Sequence, residues 1–153
     1  MQLKKIRPAR RTDLAQVVRI DARITGLAKP KYWAGVLERY GRRRRSSSRL
    51  SSSSHFLVCD VQGQVVGYIV GEVRDWEFGA PPCGWVFGIG VQPGDRLGGI
   101  GAALLEAICE RFREAGVDTV RTLLSRDNSL VLAFFRSQGM MAGPFIPLEK
   151  RIA

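Results

Sequence analysis

Between Val91 and Ala107 the chain reads VQPGDRLGGIGAALLEA, and no other stretch constrains the fold as much. A β-branched apolar run ends at Val91 and Gln92, Pro93-Gly94-Asp95 spells a turn, and a helix opens near Gly98 or Gly99. The stripe of Ile100, Ala103, Leu104, Ala107, Ile108, Phe112 and Ala115 keeps helical spacing as far as Gly116. A tight strand-to-helix turn accounts for Gly94. It accounts poorly for glycines running on into the first helical turn, where each costs about 0.5 to 1 kcal/mol relative to alanine. The first turn of a helix carries backbone N–H groups without internal partners and a partial positive charge. With no side chains at Gly98, Gly99 and Gly101 to block approach, and with Arg96 adding a full charge, a pyrophosphate can rest there.

The remaining pattern alternates strands and helices around this junction. KKIRPAR reads as a first strand. A helix follows, capped by Thr12, with Leu14, Val17, Val18 and Ile24 at helical spacing up to Gly26. Pro30 opens a second helix carrying Tyr32, Trp33, Val36, Leu37 and Tyr40. These aromatics read first as core, although a helix lying over a pocket would let Tyr32 or Trp33 touch a substrate. HFLVCDV and QVVGYIVGEV form a hairpin about Gln62-Gly63, and GWVFGIGV is a third strand beyond the Phe78-Gly79-Ala80-Pro81-Pro82 turn. TVRTLLS is a further strand, residues 128–138 a short helix stopped by Gly139, and FIPLEKRI a final strand. The predicted order is β, α, α, β, β, β, α, β, α, β.

At 153 residues the chain suits one domain, 1–153, large enough to fold without metal or disulfide staples. No apolar run approaches the roughly 20 residues of a membrane helix, and the basic MQLKKIRPARR is not followed by the apolar stretch of a secretory signal. A cytoplasmic location is expected. Cys59, Cys83 and Cys109 match no metal or redox spacing and read as free thiols, with Cys83 placed where it could be exposed. The single histidine, His55, is a weak candidate partner for a nucleophilic cysteine. Residues 1–54 hold 15 Lys and Arg against 3 Asp and Glu, a net +12, whereas residues 55–153 carry a net −2. A field so placed favours polyanions. GRRRRSSSRLSSSS, residues 41–54, is a low-complexity stretch expected to be a mobile linker; it has no aromatic residue to stack on bases.

Two familiar phosphate loops fail against the letters. A P-loop needs Lys followed by Ser or Thr, but Ile100 follows Gly99 and Ala102 follows Gly101; a G-x-G-x-x-G fingerprint finds Leu104 where its third glycine belongs. What fits is R-x-x-G-x-G, as Arg96-Leu97-Gly98-Gly99-Ile100-Gly101, between a strand and a helix. Here the chain resembles the GNAT superfamily of acyl-CoA-dependent N-acyltransferases. Asn128 to Met140 is similar to that family's second motif, N-x-x-A-x-x-F-Y-x-x-x-G-F. The resemblance spans nearly the whole chain and implies an α/β GNAT fold, a central, mixed but mostly antiparallel twisted sheet with helices on both faces.

The resemblance also implies roles. Backbone groups of Ile89, Gly90 and Val91 would pair with the pantetheine arm of acetyl-CoA, and the amides of Leu97, Gly98, Gly99, Ile100, Gly101 and Ala102, with Arg96, would hold its pyrophosphate. Asn128 would contact the pantetheine or its surroundings; a helix cap is its other reading. Phe135 stands on the cofactor side where many members carry a tyrosine thought to protonate the departing thiolate, and it has no proton to give. Val131 and Met140 are further departures, tolerable as packing changes. No metal is implied.

N-acylation needs a neutral amine, and an alkylammonium of pKa about 10.4 must first lose a proton to a base. The β-turn geometry puts Glu72 opposite about Trp85, upstream of the expected thioester, with Glu77 and Asp75 nearer the turn. Glu72 is the first candidate base and Glu77 the second. Trp76 and Trp85 are read as packing before pocket walls. The resulting expectation is transfer of acetyl from acetyl-CoA to a primary amine, on a small molecule or a peptide N-terminus, by direct attack in a ternary complex; the resemblance also admits a homodimer. Two rivals stand: a CoA-binding relative without transferase activity, motivated by Phe135, and a nucleic-acid binder acting through residues 42–45.

Overall fold

The computed structural model describes residues 3–41 and 54–153, with the side chains of Arg96 and Leu97 outside that description. The Arg/Ser-rich stretch therefore lies outside the described residues, apart from its two ends. The chain divides into two compact units, Met1–Thr122 and Leu123–Ala153.

In the first unit five strands stand in sequence order, β1 (Lys4–Pro8), β2 (Ser54–Val61), β3 (Gln64–Arg74), β4 (Cys83–Val91) and β5 (Val120–Thr122). The first three pairings are antiparallel and β4–β5 is parallel. Gln62 and Gly63, both at positive φ, make the tight hairpin between β2 and β3. Helices α1 (Leu14–Thr25) and α2 (Pro30–Tyr40) cover one sheet face, where Val17, Ile20, Trp33 and Val36 meet Phe56, Val58, Tyr68 and Val70. Helix α3 (Ile100–Glu114) covers the other; its Phe112 fills the space a side chain at Gly84 would need, and Ile100 and Leu104 lie against Gly67. Val17, Ile69, Leu104 and Ile108 are inaccessible to solvent, and each such burial contributes about 1.5 to 3 kcal/mol. The mixed, mostly antiparallel sheet with helices on both faces is the architecture expected from the sequence.

Polar anchors fix the α1 side. Arg7 of β1 donates to Asp13 at 2.7 Å and to Asp60 of β2 at 3.0 Å. The hydrogen bonds from Arg7 hold the Asp13 carboxyl below its usual range, against the opposing effect of burial. Asp13 also accepts the backbone N–H of Arg10 at 2.7 Å. The helix start is thus secured by Asp13, one residue beyond Thr12, because only the carboxylate can serve both the Arg10 amide and the Arg7 guanidinium.

The second unit contains α4 (Ser129–Ser137), started by Asn128, whose side chain accepts from the Val131 N–H at 3.2 Å, and stopped by Gly139 at φ 84°. Phe135 is buried beside Phe134, ring centroids 5.1 Å apart. The final strand expected at FIPLEKRI does not form. Pro144 and Pro147 deprive that segment of backbone donors, and Ile146, Leu148 and Ile152 stay exposed. Cys83, expected near the surface, is buried, as is Cys59; burial raises the Cys59 and Cys109 thiols above their ordinary range, which suits inert cysteines. His55 sits by the Phe112 ring, with centroids 6.2 Å apart.

Candidate active site

The site is built on β4 and begins with an irregularity. Val70 of β3 stands opposite Gly88 and Gly71 opposite Val86, so Phe87 is an extra residue, a β-bulge. The bulge shifts the phase of the backbone. Before it, the Gly84 N–H reaches Thr119 toward β5 at 2.9 Å; beyond it, the Gln92 N–H turns the other way and reaches Val66 of β3 at 2.8 Å. By the alternation of an antiparallel ladder, Gly90 faces β3 with Gln92, while Ile89 and Val91 aim their N–H and C=O groups away from it. β5 pairs with β4 only at Gly84, Trp85 and Val86, so it does not reach that stretch. Ile89 and Val91 therefore present strand-like donors and acceptors on a side where the sheet of this unit has ended.

Gly90 is glycine for a reason the sequence did not show. A Cβ there would lie 2.6 to 2.7 Å from the ring and hydroxyl of Tyr68. Burial, with Asp21 adding to it, holds the Tyr68 phenol well above its ordinary pKa, so it stays protonated at neutral pH.

Past Val91 a short 3-10 turn, Pro93–Gly98, leads to Gly99, which at φ 72° and with open space around it must be glycine for conformation and not for room. The first amide used inside α3 is that of Ala103, bonded to Gly99 O at 3.0 Å. The N–H groups of Ile100, Gly101 and Ala102 are left at the positive end of a 15-residue helix. Lys4 of β1 donates its ammonium to Gly98 O, which brings a cation to the same turn. The main chain thus passes from the 3-10 turn through Gly99 directly into the first turn of α3. The Arg96 side chain lies outside the description.

On the α2 side of β4 is a cavity of about 340 Å³, walled by Trp33, Val36 and Tyr40 of α2, Val70 of β3, and Phe87 and Gly88. Trp33 is fixed there by its indole N–H, donated to buried Asp21 at 3.0 Å, and by edge contact with Tyr68. Glu72 lies two residues along β3 from Val70, hence on the same face, and pairs in register with Trp85 as expected. Its carboxylate is 3.5 Å from Arg74 Nε; Glu77 reaches Arg74 Nη1 at 3.5 Å. The Arg74 guanidinium stacks over Phe87 at 4.5 Å and Trp85 at 5.3 Å. Arg74, which sequence reasoning passed over, thus holds both candidate bases against the wall of the cavity. Its position two residues from Glu72 on one strand face was the available signal. Trp76 and Phe78 are exposed at left-handed backbone positions and do not line the cavity. Asn128 and Phe135 belong to the second unit, where Asn128 acts as the cap of α4.

A family model for acetyltransferases of the GNAT type matches residues 20–140, four-fifths of the chain and all the elements of the site. The chain belongs to the GNAT acetyltransferase family. Among curated GNAT-like relatives, it is 30% identical over 87 residues to an L-2,4-diaminobutyric acid acetyltransferase of Nocardia farcinica, covering 57% of this chain and 44% of that protein. It is 31% identical over 101 residues to a mycothiol acetyltransferase of Saccharomonospora viridis, covering 64% and 33%. The chain thus spans less than half the length of either. Among solved structures, an aminoglycoside N-acetyltransferase in complex with CoA superposes with a TM-score of 0.80 at 15% identity, over 100% of this chain and 97% of that one. That likeness establishes the GNAT fold. Among the described residues no helix is long and apolar enough to cross a membrane, and no cluster of His, Cys, Asp and Glu could hold a metal ion.

Proposed function

We propose that this GNAT chain transfers an acetyl group from acetyl-CoA to the primary amine of a small acceptor, both bound together. The observation that carries the reading is the bulged β4, whose Ile89 and Val91 aim their ladder groups away from β3, beyond the reach of β5, on the strand that leads into the Gly99 turn. An extended amide-bearing chain ending in a pyrophosphate fits this succession: strand-like pairing first, then helix amides. In this reading Ile89, Gly90 and Val91 accommodate the pantetheine, while the amides of residues 97–102, with Arg96, hold the pyrophosphate and Lys4 adds charge. Acetyl-CoA supplies an activated thioester carbonyl. The cavity between α2 and β4 then takes the acceptor, close to Gly88. Relatives named for diaminobutyric acid and aminoglycosides act on small amines, which fits a cavity at the lower end of the usual range for small-molecule sites.

The Glu72 carboxylate, oriented by Arg74, takes the proton of the acceptor ammonium directly or through a water, with Glu77 as the second base. Phe135 offers no proton to the departing thiolate, so in this reading solvent supplies it. Asn128 and Phe135 retain cofactor-side roles on the family's pattern. The test is release of free CoA thiol from acetyl-CoA with a broad panel of amines, with the acetamide product identified by mass. Turnover that falls sharply in Glu72→Gln supports the reading. Acetyl-CoA binding without turnover on any amine would favour the non-transferring alternative.

A further inference from the structure

The α2 wall of the cavity carries two cations that nothing in the acyl-transfer chemistry requires. Lys31 and Arg39 both line it, toward the two ends of α2, about 12 Å apart along the axis and about 80° apart around it. Among the described residues neither has a carboxylate within ion-pairing distance, and no described Asp or Glu lines the cavity. Lys29, the other cation near this helix, is already paired with Asp21 at 3.0 Å. Glu38, which adjoins Arg39 in sequence, does not line the cavity. Residues 42–53, which follow α2, contain no carboxylate at all. Glu72 shares the sheet face of Val70, which lines the cavity, and both Glu72 and Glu77 contact Arg74.

Charge is thus divided: two carboxylates sharing one arginine on the sheet side, and on α2 two cations that no carboxylate pairs among the described residues. A polycationic acceptor entering the cavity would meet Lys31 and Arg39 with nothing opposite to offset them. A molecule carrying one ammonium and one anionic group is matched at both ends. From this division, and resting on the reading that the cavity is the acceptor site, we infer that the acceptor is a small amine bearing a carboxylate, an amino acid or diamino acid. Arg39 and Lys31 hold the carboxylate, and the amine is turned toward Glu72. The aromatic walls, Tyr32, Trp33, Tyr40 and Phe87, bury the carbon chain between.

The test compares the amino acids, with ornithine included, against their carboxamides, and ornithine against its decarboxylated diamine, putrescine. Acetyl-CoA turnover is followed for wild type and for Lys31→Gln/Arg39→Gln. Both substitutions lie at exposed helix positions, and circular dichroism confirms that the variant is folded. The preferred acceptor should be a free acid, with kcat/KM about tenfold or more above its carboxamide, mainly through KM. That ratio should fall about fivefold or more in the double variant. A carboxamide or diamine acetylated as well as the acid, or a ratio unmoved by the double substitution, overturns the inference. If acetyl-CoA binds but no amine is acetylated, acyl transfer fails separately. Calorimetric binding of the same acids and carboxamides in the presence of CoA then decides the charge preference on its own, equal affinity or no binding counting against it.

Discussion

Asp21 of α1 accepts the indole N–H of Trp33 in α2 at 3.0 Å, and this bond ties the first helix to the second beside the cavity. The carboxylate is buried and also pairs with Lys29 at 3.0 Å. Asp21→Ala leaves the Trp33 N–H without its acceptor and should cost about 2 to 3 kcal/mol. A urea midpoint lowered with unchanged slope is the expected result. If the bond also positions the cavity wall, KM for the acceptor rises in the variant with little change in affinity for acetyl-CoA.

Asp13 predicts how stability responds to acid. Its folded pKa lies below the unfolded value of about 3.9, so its contribution is complete above that value and is lost as pH falls through the folded pKa. In Asp13→Asn the bonds from Arg7 are weakened at every pH, lowering stability near neutrality by about 2 to 3 kcal/mol. Between about pH 5 and pH 2 the variant should therefore lose less stability than the wild type, which thermal melts across that range would show.

Gly90 reports on packing beneath the site. With the Tyr68 ring within 2.7 Å of where a Cβ would stand, Gly90→Ala forces the ring or the strand to move and should destabilise by about 1 to 3 kcal/mol. Gly94→Ala, with nothing within 4 Å, should be close to neutral. Melting temperatures of the two variants measured together separate a steric role from a general effect of adding a methyl group.

Glu72 and Glu77 can be ranked by kinetics. Glu72→Gln should lower kcat by about a hundredfold or more, with Glu77→Gln having the smaller effect, because Glu72 lies on the cavity face beside Val70 while Glu77 is in the exposed turn. Equal and small losses in both variants would remove the carboxylates from the chemistry and leave them as partners of Arg74.

How much of this was legible in the sequence depends on which residues carried it. The pairing of Glu72 with Trp85 followed from turn length alone, since β3 and β4 are adjacent and antiparallel. The glycine junction declared itself because glycines in a first helical turn have a cost that a turn does not require. The Phe87 bulge did not, for one inserted residue changes no composition, and its effect on Ile89 and Val91 appears only when the partner strand is present. Lys31 and Arg39 looked like ordinary charges on a helix until α2 was seen lying over β4. FIPLEKRI misled because apolar letters outweighed Pro147 within it and Pro144 just before it. Asn128 kept two readings in the sequence, and its bond to Val131 shows the cap.

The central claim is that β4 and the Gly99 turn form the cradle for acetyl-CoA. Calorimetric titration of the protein with acetyl-CoA, beside Gly101→Glu, tests it most directly. Position 101 lies within α3, where glutamate is tolerated conformationally, so the substitution places a negative charge in the first helical turn. Binding in the micromolar range by the wild type, weakened about a hundredfold or more in the variant, is the predicted result. Absence of binding by folded wild type, or equal binding by the variant, would contradict the account.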